Sequence, residues 1–301
     1  MAKPIALITG LNGFTGHYIA HALATSGFEI IGLSDKSAKI ASKTYNVDLK
    51  NAEKVSDIVA QVNPHIVVHL AAISFVAHGD ASEIYHTNVV GTRNLLSALS
   101  ANSKRLCHVV LASSANIYGN NASGLPLTED VQAKPENDYA VSKYAMEMMA
   151  NLWIDKLPIT VVRPFNYTGV GQTDRFLIPK IVNHFAHKAS VIELGNINVA
   201  RDFGDVRDVA KVYEAICSRD YVGGAYNICT GVETSLQAVI KIMEKLAGYE
   251  IQVDVNPNFV RDNEVKSLTG SPLKTFKVFE TKKAFDLEDT LSWMYQTARQ
   301  Q

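Results

Sequence analysis

The stretch Pro4-Ile-Ala-Leu-Ile-Thr9-Gly10-Leu-Asn12-Gly13-Phe14-Thr15-Gly16 decides the architecture. Pro4–Thr9 is an apolar run too short for a helix and bounded by glycine, so it reads as a buried strand. Glycines 10, 13 and 16 punctuate the turn, and a helix follows to about Ser26. In a strand–turn–helix unit the glycines permit a tight turn and a close approach by a ligand. The first N–H groups of the helix can then hold an anion such as a diphosphate. The spacing is G-x-x-G-x-x-G rather than G-x-G-x-x-G, and alone it is a weak signal. Its place between strand and helix gives it weight.

Outward from this unit, strands and helices alternate. Glu29–Leu33, His65–Leu70, Cys107–Ala112 and Ile159–Arg163 read as strands, and Asn51–Gln61, Ser82–Ala101 and Asn137–Lys156 as helices. The strands are nearly continuous in apolar residues, as expected of a parallel sheet covered on both faces. The fold class is therefore α/β, a Rossmann-type doubly wound sheet. After Arg163 the texture changes: the chain leaves the sheet through a Pro- and Gly-bearing segment. Helices are expected over Ile178–Lys188, Val206–Arg219, Ser235–Ala247 and Leu287–Ala298, with a strand over Tyr226–Cys229. The spacing predicts a dinucleotide-binding domain over 1–164 with return segments near 198–231. A smaller mixed α/β substrate domain is expected over 165–197 and 232–301.

Composition narrows the function. The 301 residues include 29 Lys+Arg against 30 Asp+Glu, a net charge of −1, with 47% hydrophobic and 20% charged residues. Such a chain folds, and it lacks the basic excess of a general nucleic-acid or anionic-membrane binder. No apolar run reaches the roughly 18 residues of a membrane helix. Cys107, Cys217 and Cys229 have no metal spacing and read as buried thiols in a reducing compartment, so a cytoplasmic location is expected. The nine histidines show no metal spacing either; His65, His69 and His108 read as packed strand residues, and no metal is expected.

Around the turn, Gly10, Asn12, Gly13, Phe14, Thr15 and Gly16 form the expected cofactor cradle. Asp35, just past the second strand, can accept from a ribose 2′-hydroxyl and would repel a 2′-phosphate, which favours NAD(H). Ser34 and Lys36 beside it leave NADP(H) open. Asp48 and Leu49 could hold the adenine, one bonding its amino group and the other packing its face. Tyr139-Ala-Val-Ser-Lys143 places a phenol and an ammonium on one helix face. A lysine charge there is expected to lower the phenol pKa, fitting Tyr139 for proton transfer to or from a carbonyl oxygen. Ser113-Ser114-Ala-Asn116-Ile-Tyr118-Gly119 follows a strand, and the Ser114 hydroxyl can bond the same substrate oxygen.

TGxxGxxG, His69–Ala72 (HLAA), SSxxxYG, YxxxK and Arg163–Asn166 (RPFN) together resemble the extended short-chain dehydrogenase/reductase family, in its order and across nearly the whole chain. The resemblance implies a nicotinamide cofactor, a nucleotide-sugar substrate and a homodimer formed through the Ser82–Ala101 and Asn137–Lys156 helices. It implies that Ser114, Tyr139 and Lys143 are catalytic, with Lys143 also holding the cofactor ribose. It further implies that Leu70, Ala71 and Ala72 line the cofactor, and that Asn88 orients its nicotinamide side or a water. Family dehydratases carry an acid where this chain has Asn116, an amide that cannot take a proton from carbon, so a dehydratase is disfavoured.

Later segments resemble the branch acting on GDP-mannose derivatives: RPFNYTGVGQ, FLIPK to Lys180, Leu194–Asn196, RDFGDV from Arg201, and Val260–Val265. This implies reduction of the C4 ketone of a GDP-4-keto-6-deoxy sugar by NAD(P)H. Arg201 and Arg261 can bracket a diphosphate with forked donors. Asn166 can add an amide donor, and Glu264 can bond ribose or orient Arg261. Ser74, Phe75 and Asn116 are expected near the hexose, and Lys180 near the nucleotide. A 4-epimerase retaining NAD, a 6-deoxy-talose- or 6-deoxy-heptose-forming reductase, and a silent cofactor-sensing module remain as alternatives.

Overall fold

The computed structural model describes residues 2–34, 38–74, 80–120, 126–259 and 265–300. Its larger sheet has seven strands in the order β10-β6-β5-β4-β1-β2-β3. These are β1 (Ile5–Thr9), β2 (Glu29–Leu33), β3 (Lys43–Tyr45), β4 (Ile66–His69), β5 (His108–Ala112), β6 (Ile159–Pro164) and β10 (Gly224–Ile228), and every pairing is parallel. The chain runs outward from β1 to β3 and then returns to β4 on the other side of β1. That reversal opens a crevice at the carboxyl ends of β1 and β4, where ligands of such sheets bind.

Alternation along each strand feeds two cores. Ala6 and Ile8 of β1, Val68 of β4 and Val110 of β5 face α1 (Phe14–Thr25) and α7 (Val206–Cys217). Leu7, Val67, Val109 and Leu111 face α2 (Ala52–Val62), α4 (Thr92–Asn102) and α5 (Asp138–Ala150). The expected helix over Ser82–Ala101 is in fact three pieces: α3 (Ala81–Tyr85), a π-helical segment His86–Gly91, and α4. The Thr92 hydroxyl donates to the Asn88 carbonyl at 2.7 Å, and Gly91 lies so close to Leu49 that an added Cβ would sit 3.1 Å from it. Hydrophobic spacing alone does not distinguish such a widened turn from an α-helix. Likewise α5 stops at Ala150 and a 3₁₀ turn, Asn151–Trp153, follows before Lys156.

The second half is built around short strands that carry little periodicity. β7 (Asn166–Thr168), β9 (Ala200–Asp205), β11 (Glu233–Ser235) and β13 (Ser267–Leu268) form a small sheet, and β8 (Val191–Leu194) pairs with β12 (Gln252–Val255). α6 (Leu177–Ala186), α8 (Leu236–Ala247) and α10 (Leu287–Ala298) enclose its core of Phe185, Ile192, Val239, Met243 and Leu291. α9 (Leu273–Phe279) departs from the expected division: Phe279 packs edge-on against Tyr226 in the larger sheet's core, with ring centroids 4.7 Å apart. Conversely β9, within the expected return segment, lies in the small sheet. Cys107 corrects another expectation. It is exposed just before β5, whereas Cys217 is buried and Cys229 half-buried. Among the described residues no helix is long and apolar enough to cross a membrane.

Candidate active site

The glycine turn is shaped by close backbone approach. Gly10 has φ +67° and a Cβ there would stand 2.8 Å from the Ala71 nitrogen, while a Cβ on Gly16 would stand 2.4 Å from the Leu11 carbonyl oxygen. Gly13 caps α1 in extended conformation with no side-chain cap and no acid in the first turn. The helix N-terminus is thus left to an anionic ligand. Beside it, the Thr9 hydroxyl accepts from the Leu70 and Ala71 N–H groups and bonds His69 Nδ1 at 2.7 Å, while His69 Nε2 meets the Thr92 hydroxyl at 2.8 Å. Burial, then the Lys143 charge, pushes the His69 pKa down to about 3. The imidazole is therefore a neutral tie beneath the crevice. Gly10, Gly13 and Gly16 give a cradle that side chains would fill, which fits the diphosphate of a dinucleotide.

Ser114 is held extended at the end of β5 and caps the 3₁₀ turn Ala115–Tyr118, its Oγ accepting from the Asn116 N–H at 3.2 Å. The Asn137 side chain caps α5 by accepting from Ala140, and this brings Tyr139 to the same wall. Tyr139 and Ser114 both line the cleft there. The expected lowering of the phenol pKa is corrected: burial pushes Tyr139 up to about 12, only partly offset by Ser114. Lys143 is tied to the backbone. Its Nζ lies 6.0 Å from the Tyr139 ring centre and donates to the Ala112 carbonyl at 2.8 Å, and burial lowers its pKa to about 8 against the opposing pull of Glu147.

One cleft of about 1570 Å³ joins these groups. It is lined by Gly10, Asn12, Gly13, Phe14, Thr15 and Gly16, by Leu70, Ala71 and Ala72, and by Ser114, Tyr139 and Lys143. Ser74, Asn116, Asn166, Lys180 and Arg201 line its continuation toward the second half. Two of these cations are already engaged. Lys180 Nζ donates to the Glu193 carbonyl at 2.7 Å and sits 4.6 Å over the Phe259 ring, and Arg201 donates to the Ala200 and Lys266 carbonyls.

Three expected cofactor residues do not line the cleft. Leu49 is buried in the core against Gly91, and Asp48 pairs with Lys50 at 3.4 Å. The Asn88 amide is occupied within the protein, accepting from Ile73 N–H and donating to the Ile73 carbonyl and the Ser142 hydroxyl. Asn88 therefore braces the wall from behind. Asp35, Phe75, Arg261 and Glu264 lie outside the described residues.

Arg163, the first residue of RPFN, is a brace as well. It makes a two-pronged pair with Glu147 at 3.1 and 2.7 Å and donates to the Tyr118 hydroxyl at 3.0 Å. The helix bearing Tyr139 is thereby locked to the turn bearing Ser114. Sequence reasoning passed over Glu136, Tyr167, Arg175, Phe176 and Phe259 of the lining. Tyr167, Arg175 and Phe176 lie in the segment 163–176 that leaves the sheet, where no residue-type pattern singled them out. Among the described residues no three potential metal ligands converge.

A dinucleotide cradle opening onto a Ser–Tyr–Lys constellation defines a nicotinamide-dependent oxidoreductase of the short-chain dehydrogenase/reductase type. The chain belongs to the NAD dependent epimerase/dehydratase family, which matches residues 6–229, and with it to the NAD(P)-using enzymes of nucleotide-sugars. It is 33% identical over 273 residues to the GDP-6-deoxy-D-talose 4-dehydrogenase of Aggregatibacter actinomycetemcomitans, covering 90% of each chain. It is 30% identical over 296 residues to the GDP-6-deoxy-D-mannose reductase of Pseudomonas aeruginosa, covering 95% of this chain and 90% of that one. The solved structure of RMD from Pseudomonas aeruginosa complexed with NADPH matches with a TM-score of 0.86 at 29% identity, covering 99% of each chain.

Proposed function

We propose that the protein reduces the C4 ketone of GDP-4-keto-6-deoxy-D-mannose to give GDP-6-deoxy-D-mannose. The observation that carries this reading is the buried Tyr139 phenol, kept protonated by its surroundings and sharing the wall of the cleft with Ser114. A phenol in this state donates a proton to a carbonyl oxygen held between it and the serine hydroxyl. The reduced nicotinamide, when bound, supplies the hydride. Lys143, an ammonium at neutral pH held by the Ala112 carbonyl, would hold the cofactor ribose and offset the charge left on Tyr139. Asn116 gives the sugar a neutral hydrogen-bond partner where proton abstraction from carbon would need an acid. Asn166 and Arg201, which line the cleft toward the second half, face the GDP-sugar. Asp35 favours NADH, and the 6-deoxy-D-mannose product places the enzyme in GDP-D-rhamnose formation.

The similarity to a GDP-6-deoxy-D-talose 4-dehydrogenase over 90% of both chains supports a second reading, in which the same groups serve the opposite C4 configuration. Exposed apolar side chains on α5 and just beyond it, Met148, Leu152 and Ile154, support the homodimer. Adding GDP-4-keto-6-deoxymannose with NADH, and separately with NADPH, tests the activity by loss of nicotinamide absorbance. NMR of the product distinguishes the two configurations. No oxidation with either cofactor would overturn this reading and leave a 4-epimerase or an enzyme of another sugar nucleotide.

A further inference from the structure

Tyr167 belongs to the second half, on β7, yet its contacts are with the glycine turn of the first. Its hydroxyl shares a 2.7 Å hydrogen bond with the Thr15 hydroxyl, and its ring stacks on Phe14 with centroids 6.1 Å apart and planes inclined by 15°. Phe14 and Thr15 are the first two residues of α1, immediately after Gly13. A turn later, the Tyr18 hydroxyl donates to the Val170 carbonyl at 2.7 Å, and the Tyr18 ring meets Phe14 edge-on at 5.6 Å and Trp293 at 6.3 Å. One side of the anion-holding end of α1 is therefore fixed by residues of the substrate half. Thr15 and Tyr167 both line the cleft.

We infer that Tyr167 is a positioning residue for the cofactor, acting through Thr15. A hydroxyl–hydroxyl bond can run in either direction. With a diphosphate at the N-terminus of α1, the favoured direction has Tyr167 donating to Thr15 and the Thr15 proton turned toward the anion. The phenol then acts on the diphosphate without touching it. The same bond couples the cradle to the Pro164–Asn166 segment that leads into β7 along the cleft. This goes beyond the proposed reduction and does not depend on the identity of the sugar.

The test is a binary titration, with no turnover, of NADPH and NADH fluorescence against Tyr167→Phe, Thr15→Val, the double variant and Thr15→Ser. Tyr167→Phe keeps the ring on Phe14 and removes only the hydroxyl. Each single change is expected to weaken binding by about three- to ten-fold, the worth of one hydrogen bond. The double variant should bind no worse than the weaker single, because without the Thr15 hydroxyl Tyr167 has nothing to act through, and Thr15→Ser should restore affinity. Thermal unfolding of each unliganded variant separates a general loss of structure from a loss at the cradle. Losses that multiply in the double variant, or unchanged affinity in Tyr167→Phe, would overturn the inference. A drop in Tm that accounts for the whole affinity loss and is not reversed by Thr15→Ser would do so as well.

Discussion

The two halves of the molecule specify their parts of the cleft by different means. At the cofactor end the wall is backbone: glycines that admit no Cβ, an uncapped helix start, and N–H groups held by Thr9. Toward the second half it is side chain, from Asn166, Lys180 and Arg201 to the aromatic rim of Phe176 and Phe259. Backbone walls depend on a few glycines at fixed spacing. Side-chain walls depend on where short strands happen to bring residues far apart in sequence. The first kind suits a cofactor common to a family, and the second a substrate that differs among its members.

The sharpest way to probe this contrast is at the boundary where the ends meet. Tyr139→Phe should lower turnover on the order of 10²–10⁴-fold, the usual contribution of a placed acid or base, with cofactor titration unchanged. Retained turnover would remove Tyr139 from the chemistry. Next in size is Glu147→Gln, which leaves the buried Arg163 guanidinium uncompensated. Denaturant unfolding should show a loss of about 3–5 kcal/mol. A loss below about 1 kcal/mol would mean that the pair is solvated like a surface salt bridge.

Gly10→Ala tests the backbone wall itself. A left-handed φ and a 2.8 Å approach to the Ala71 nitrogen should cost about 1–3 kcal/mol and weaken NADH and NADPH binding more than binding of GDP. Equal losses for both ligands would break the distinction between the two ends. The smallest effect is a slope. Burial lowers the Lys143 pKa to about 8 from an ordinary 10.5, so between these values the unfolded chain binds more protons than the folded one. The contribution of Lys143 to stability then rises as pH increases from about 8 toward 10.5. Lys143→Met should remove that rise, measured as the difference in unfolding free energy between wild type and variant at pH 8 and pH 10. A parallel pair of pH curves would contradict it.

The same asymmetry explains what could be read from the sequence. The parallel sheet was legible because β1, β2, β4, β5 and β6 are compact apolar runs, and α10 spans the expected Leu287–Ala298. The edge strand β3 was not legible, being three exposed or half-exposed residues, Lys43-Thr-Tyr45, with no apolar pattern. The π-helical segment at His86–Gly91 was not, since a hydrophobic stripe tolerates a widened turn that a threonine hydroxyl and a glycine contact create. The strands of the small sheet have only two to six residues, too few for a period-2 pattern to rise above chance. Tyr139 and Lys143 stood out by spacing, Ser114 by its place after a strand and all three by the family resemblance, and the cleft brings them together. The protonation of Tyr139 did not stand out, because desolvation depends on neighbours from other elements. Leu49 shows the converse, an apolar residue at a ligand-like position that the core claims.

The exchange of elements between the halves has a mechanical consequence. β10 and α9 return to the larger sheet after the chain has already visited the smaller one, so several connections, not one hinge, bridge the cleft. Opening it must flex all of them together, and no single cut of the chain releases either half. A fragment ending near residue 164 would lack the edge strand β10 and the helix α7 that cover Val162 and Ile19. Nicking a surface loop should therefore leave the pieces associated, and the enzyme behaves as one body rather than as two modules in tandem.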